Sequence, residues 1–583
     1  MNEIEHGGML MSRDLNNGDA TLKAVYDAEW EWRNRQLGNQ FVTSVTKVDD
    51  FLPDVGEEAQ CARLRYWEAA LERIESISID DLSPEGRVNY AIFHAQITTF
   101  VVQQRNRMYE RPANSDSAFW VPLVNRPIPG TSAVRAYSKF EDEDDARRYL
   151  EQLNQIPRFF AQNMANMRLG VARGFGPPQV TMEGREAFIR GIAQEVEPEN
   201  LRFFVPFADL PGGISEGTRK EIREAARAIL RDIVLPAYRE LLEFFVHEYR
   251  PMLPKSIAAE DGPDGVDFYR SQLREFTTID IEPEDLFRIG MDAVEAITAE
   301  MADMAIECGF GGDVPALFEF LRTDPKFYVS TPRQLLLEAA GHAKKFDGRV
   351  HRYFGHVPRM RFGIVEPPPG VGSYFTSGRG TLDRYIVNTH NLSARPLYSL
   401  PALTLHEAAP GHSFQTSIAF EKSQHPEFRR QAHFFAYAEG WALYCERLGV
   451  EMGMYETPFE MMGMLSFQMW RAARLVLDVG IHTLGWTRED AQRFLREHTA
   501  ISEHEITTEV DRYISWPGQA CAYYLGQVEI LRLRRSAEVH LGNRFNLRNF
   551  HDAVLGEGSM PLSVLSKLIE EFIQTGGREL EKV

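Results

Sequence analysis

The sequence predicts a predominantly α-helical protein with one small β-sheet. Three observations predict it. Long stretches carry apolar residues three and four positions apart, Ser/Thr-Pro helix starts recur, and two short segments of strand character stand just ahead of a His-Glu motif.

The helical stretches begin with TLKAVYDAEWEWRNRQ, SPEGRVNYAIFHAQITTFVVQQRN and SEGTRKEIREAARAILRDIVLPAYRELLEFFVHEYR. Ser83-Pro84, Thr331-Pro332 and Thr457-Pro458 each set a capping hydroxyl before a proline, whose fixed φ and missing N–H suit the first helical position. Thr487 with Asp490 reads as a variant capping box. The strand segments are PRMRFGIVEPPPGVGSYF, which runs into a Pro/Gly loop, and RYIVNTHN, which is β-branched and short. Residues 1–17 read as a flexible leader, 18–260 as an N-terminal helical half and 261–583 as a C-terminal half carrying the motif. The break falls at EDGPDGV, and the C-terminal half reads as one continuous catalytic unit.

A net charge of −20 argues against a nucleic-acid partner and against an anionic membrane surface. Cys61, Cys308, Cys445 and Cys521 form no CxxC pair, so neither a disulfide framework nor a cysteine zinc site is expected. The N-terminus lacks a basic segment followed by an apolar one, and no apolar run reaches membrane-spanning length. These features together lead to the expectation of a cytoplasmic protein.

The chemistry is concentrated in LTLHEAAPGHSFQ, Leu403 to Gln415. Imidazoles and a carboxylate are zinc ligands, and a further carboxylate is needed beside the activated water to take its proton. His406 and His412 are the candidate imidazoles and Glu407 the candidate base. Their spacing is six where the helical HExxH motif has four. On a regular helix six residues turn by roughly 600°, which points the rings apart. Pro410-Gly411 lies between them, and proline both removes a helical hydrogen bond and clashes with the preceding turn. A kink there is therefore expected to return His412 to the metal. The third ligand is sought in FFAYAEGWALYCERL, where Glu439 stands in an apolar, aromatic helix that makes an unpaired acid costly. Glu446, seven positions on, is the alternative ligand, or a partner that orients a histidine.

HEAAPGHSFQ, AEGWALYCERLG, RLVLDVGIHTLGW and DRYISWPGQACAYYLGQVEILRLR, in that order from about Val371 to Arg534, resemble the blocks of the bacterial domain-of-unknown-function 885 family. The resemblance implies a zinc metallopeptidase of HExxPGH type. It also implies a helical fold with a deep cleft, similar to carboxypeptidase Taq and the thimet-type oligopeptidases. By it His406, His412 and Glu439 hold one zinc ion per chain, and Glu407 is the base.

Other candidates rest on the residues themselves. RYIVNTHN, with Asn388 inside it, suits an edge strand that pairs with a substrate backbone. Tyr523 or Tyr524 can steady an oxyanion through a phenol, and His482 can donate to the transition state. Arg512 and Arg474 can hold a terminal carboxylate, unless they pair with Asp511 or Asp478. The expected function is hydrolysis of short peptides, in carboxypeptidase or oligopeptidase mode. An amidohydrolase on a non-peptide amide shares the same chemistry, and an inactive metal-binding protein is a further alternative. A helical di-iron oxidase needs paired Glu-x-x-His motifs, and the one present, Glu3 to His6, lies in the leader.

Overall fold

A computed structural model describes residues 17–38, 48–115, 139–367, 372 and 376–577. The leader therefore lies almost wholly outside the described residues, as do 368–371 and 373–375 of the proline-rich segment. The fold is predominantly helical with one three-stranded sheet.

Each capping signal forms. Ser83 accepts from the Gly86 N–H ahead of the helix Pro84–Arg105. Thr331 and Gln334 close a full capping box on Pro332–Asp347, as do Thr487 and Asp490 on Arg488–His498. Thr457 accepts from the Glu460 N–H at the start of Pro458–Thr483. The stretch from Glu216 to Met252 is one helical run with two π-type segments, Leu230–Val234 and Phe244–Tyr249. Each ends just before a proline, Pro236 and Pro251, where a proline inside a regular helix would clash with the turn before it.

The sheet is β1 (Gly363–Val365), β2 (Gly378–Gly380) and β3 (Arg384–Val387), in the order β1-β3-β2. β1 runs parallel to β3 and β2 antiparallel to it. This corrects the sequence expectation for RYIVNTHN. β3 is the central strand, with both edges already paired, and β2 is the strand beside the metal motif. The misreading has a physical source. GRG has little strand propensity, whereas RYIV is β-branched and aromatic, so only the latter is prominent in the sequence.

The helix Pro458–Thr483 lies at the centre, with every residue from Met462 to His482 buried. A helix apolar on all sides must be enclosed by others. It packs along Pro283–Glu307 and beside Leu400–Glu407, Phe435–Glu451 and Ala522–Leu541. Phe435–Glu451 and Ala522–Leu541 cross where Gly440 meets Gly526, and a methyl on either glycine would collide with the other backbone. This close crossing fixes Phe435–Glu451, and with it Glu439 and Glu446. One large hydrophobic cluster joins Leu22–Val101 side chains to those of 259–572, while a second is built wholly from residues 48–253.

Candidate metal centre

The motif helix Leu400–Glu407 ends at Glu407, and a new helix, His412–Glu421, begins at the second histidine. Between them the chain leaves helical geometry at Ala408 and at Gly411, and the Ala409-Pro410 peptide is cis. A full break thus takes the place of the expected kink, and it has the same effect on the rings. Gly411 passes so close to the His406 carbonyl that no side chain fits there. Trp441 donates from its indole N–H to the Pro410 carbonyl at 2.8 Å, tying the break to the helix that carries Glu439.

The result is convergence. The His406 and His412 ring centroids are 4.9 Å apart and nearly perpendicular. Glu439 Oε2 lies 3.2 Å from His412 Nε2 and 3.5 Å from His406 Nε2. Ligand atoms of the three residues all fall within 4.8 Å of one another. His406 Nδ1 is bonded to Glu446 Oε1 at 2.8 Å, which holds the ring so that Nε2 faces Glu439. Glu446 in turn accepts from Gln468 at 3.3 Å. The alternative ligand of the sequence reading is therefore the group that orients the first histidine.

The fit to a metal ion can be tested on Glu439. Its Oε2 is sealed from solvent and has no hydrogen-bond partner, although two imidazole nitrogens face it. A buried carboxylate oxygen is costly without compensation, and two imidazoles with one carboxylate form a donor set that suits zinc. The site is strongly attractive to positive charge. Burial alone would lower the His406 pKa, but the Glu439 and Glu446 carboxylates outweigh it and raise it to about 9. Burial likewise opposes ionisation of Glu439, yet the two histidines hold its carboxyl well below the usual range.

Glu407 projects toward β2, where the Gly380 N–H donates to its Oε2 at 2.6 Å. A side chain at Gly380 would strike the Glu407 carbonyl and His412, so glycine is needed for this approach. Just after β3 the Asn388 N–H donates to the Ser377 carbonyl, and at the start of β3 the Arg384 carbonyl accepts from the Thr381 N–H. In an antiparallel ladder the alternate residues Gly378 and Gly380 then turn their main-chain groups away from β3, toward the motif. Asn388 itself is buried and serves the loop after β3. It donates to the Gly372 carbonyl and accepts from the His390 N–H, each at 3.0 Å.

The remaining candidates fall in separate places. Tyr523 carries the Arg474 guanidinium 4.2 Å above its ring and lies 3.5 Å from Arg512 through its hydroxyl. Tyr524 is half-buried on the side of the Arg447–Glu300 ion pair. Arg474 and Arg512 pair with neither Asp511 nor Asp478. Both donate to Glu509 Oε2, at 2.9 and 3.1 Å. Asp511 takes Arg488, while Asp478 takes the Tyr269 hydroxyl and the Gly518 N–H.

His482 is removed from the catalytic set because both ring nitrogens are used. Nδ1 accepts from the Ala259 N–H at 3.1 Å and Nε2 donates to the Tyr513 carbonyl at 3.0 Å. Burial lowers its pKa from 6.5 to about 3. The folded value lies below the unfolded one, so its stabilising contribution is full above pH 6.5 and is lost as pH falls toward 3. His551, also lowered to about 3 by burial, acts with the same sign. Thermal unfolding midpoints measured at pH 7 and pH 5 should drop, with His482 accounting for roughly 2 kcal/mol of the loss. His482→Gln should show a shallower acid slope, and an unchanged slope would refute this assignment.

Sequence reasoning missed Arg471, which lies 4.0 Å from Glu446 on the central helix. The signal was present: two arginines, Arg471 and Arg474, stand three apart in an otherwise apolar stretch.

The sequence profile of the family described as "Bacterial protein of unknown function (DUF885)" matches residues 35–569. No curated protein matches the chain. Two solved structures share the fold. The "putative lipoprotein" from Colwellia psychrerythraea has a TM-score of 0.86 at 24% identity, over 96% of this chain and 100% of that one. The "putative lipoprotein of unknown function" from Shewanella oneidensis has a TM-score of 0.64 at 16% identity, over 95% and 99%. These two descriptions, each of a putative lipoprotein, contradict the cytoplasmic expectation, which is withdrawn. It rested on acidity, on unpaired cysteines and on the reading of the N-terminus and of the apolar runs, and none of these distinguishes compartments by itself. Among the described residues no helix is long and apolar enough to cross a membrane.

Proposed function

The chain belongs to the DUF885 family, whose description assigns no chemistry, and from the site we propose that it is a zinc-dependent peptidase acting on short peptides. The observation that carries this reading is the convergence of the buried Glu439 Oε2 with the Nε2 atoms of His406 and His412, all within 4.8 Å of one another. These three residues would hold the ion, which when bound supplies Lewis acidity and lowers the pKa of a water toward neutrality.

Glu407 is the proton acceptor in this reading. The Gly380 N–H fixes one carboxylate oxygen, and Oε1 is assigned to the proton. Glu446 keeps His406 in the tautomer whose Nε2 is a lone-pair donor. An extended substrate backbone would lie along the outward edge of β2, the role first sought at β3, with the Gly380 N–H reserved for Glu407. Tyr523 is the phenol retained for the oxyanion, because Tyr524 faces the Arg447–Glu300 pair. By likeness to the two lipoproteins, the setting is the cell envelope.

The test is a library of short peptides incubated with purified protein, with cleavage products read by mass. Hydrolysis abolished by a chelator and restored by zinc is the expected result. Cleavage that is indifferent to chelation would reject the proposal, and turnover confined to non-peptide amides would redirect it to an amidohydrolase.

A further inference from the structure

Three guanidinium groups are buried together beside the proposed metal centre. Arg471, Arg474 and Arg512 are 5%, 3% and 7% exposed. Their dedicated counter-charge is Glu509, whose Oε2 alone takes Arg474, Arg512 and the Tyr513 hydroxyl. The next carboxylate, Glu446, is 4.0 Å from Arg471 but already bonded to His406. Arg471 is therefore left with no carboxylate hydrogen-bonded to it among the described residues.

Nε and Nη1 of Arg471 and Nη1 of Arg474 are buried and have no hydrogen-bond partner. Glu509 accounts for the other donors of Arg474, together with the Tyr513 hydroxyl. Nothing comparable serves Arg471, which is stacked 4.1 Å over Trp470 and 4.6 Å over Phe467. Burial pulls the Arg471 pKa below its ordinary value. Buried donors left unpaired are destabilising, and more so on a charged group. Aromatic stacking holds the planes in place without using these donors.

We infer that Arg471 and Arg474, with Tyr523 at their side, form a subsite for a carboxylate of the substrate. A carboxylate accepts from the unpartnered nitrogens. The subsite is linked to the metal centre through Arg471, Glu446 and His406 in succession, from the Nδ1 side of the His406 ring. This rests on the peptidase reading for its location in a reaction, but not for the binding itself. The carboxylate has two sources, the C-terminus of a peptide or an acidic side chain. Capture of a C-terminus would make the enzyme a carboxypeptidase.

The experiment is calorimetric binding to full-length Glu407→Gln protein, in which slow or absent turnover leaves the peptide intact. The probes are a tripeptide without acidic side chains, its C-terminal amide, and an amidated peptide with an internal glutamate. A carboxylate should improve affinity on the order of 30-fold over the plain amide. Preference for the free C-terminus assigns the carboxypeptidase mode, and equal preference for the glutamate peptide assigns the side chain. Arg471→Met in the same background should erase the difference, and Arg471→Lys should retain part of it. Equal binding of all three probes to the parent overturns the inference without recourse to any variant. So does a preference that survives in Arg471→Met at unchanged zinc content. A carboxylate preference in a protein that hydrolyses no peptide would leave this subsite standing and remove the peptidase reading alone.

Discussion

Glu407→Gln should keep zinc near one ion per chain while losing hydrolysis by on the order of a thousandfold or more. The substitution preserves shape, and the carboxamide oxygen can still accept from the Gly380 N–H. It removes only the ability to take a proton. Glu407 is directed at β2 rather than at the three-residue ligand cluster, so metal content should be unaffected. Metal analysis and steady-state kinetics on one preparation check both halves. Persisting hydrolysis in Glu407→Gln would remove the mechanism even with zinc present.

The two glutamates on Phe435–Glu451 should separate in the same assay. Glu439→Ala removes the oxygen on which both Nε2 atoms converge, and zinc should be lost outright. Glu446→Ala leaves all three proposed ligands and removes only the hydrogen bond that orients His406. Its zinc affinity should fall by about 10- to 100-fold, the usual cost of losing such a partner. Zinc titrations against a competing chelator measure both. Full zinc binding by Glu439→Ala together with none by Glu446→Ala would exchange their roles.

Much of this site was legible in the sequence because its residues violate the pattern around them. A glutamate in an aromatic helix and a Pro-Gly pair inside a His-Glu motif are both local conflicts that need a cause. The helix starts were legible for the opposite reason, since Ser/Thr-Pro pairs agree with the element they begin. The strand beside Glu407 was not. β2 is Gly-Arg-Gly, and its position comes from the near-contact of Gly380 with the motif helix, which no periodicity encodes. The arginine partner was hidden as well. Glu509 and Arg512 are three apart on Glu503–Ser515, a spacing that reads as an ordinary surface pair until the helix is found to be buried. Arg471, like Glu439, is a charge set in an apolar helix and is legible in the sequence on the same ground.

The Trp441–Pro410 bond and the Gly440–Gly526 crossing carry a thermodynamic consequence. They hold the ligand-bearing segments through packing that uses none of the proposed ligand atoms. Metal capture then requires little chain ordering, in contrast to small domains in which zinc and folding are one event. On the proposed zinc reading the ion would act on stability by mass action, contributing about 2.7 kcal/mol when free metal is a hundredfold above its dissociation constant. Such a protein would lose its ion to a scavenger and recover it without passing through an unfolded state.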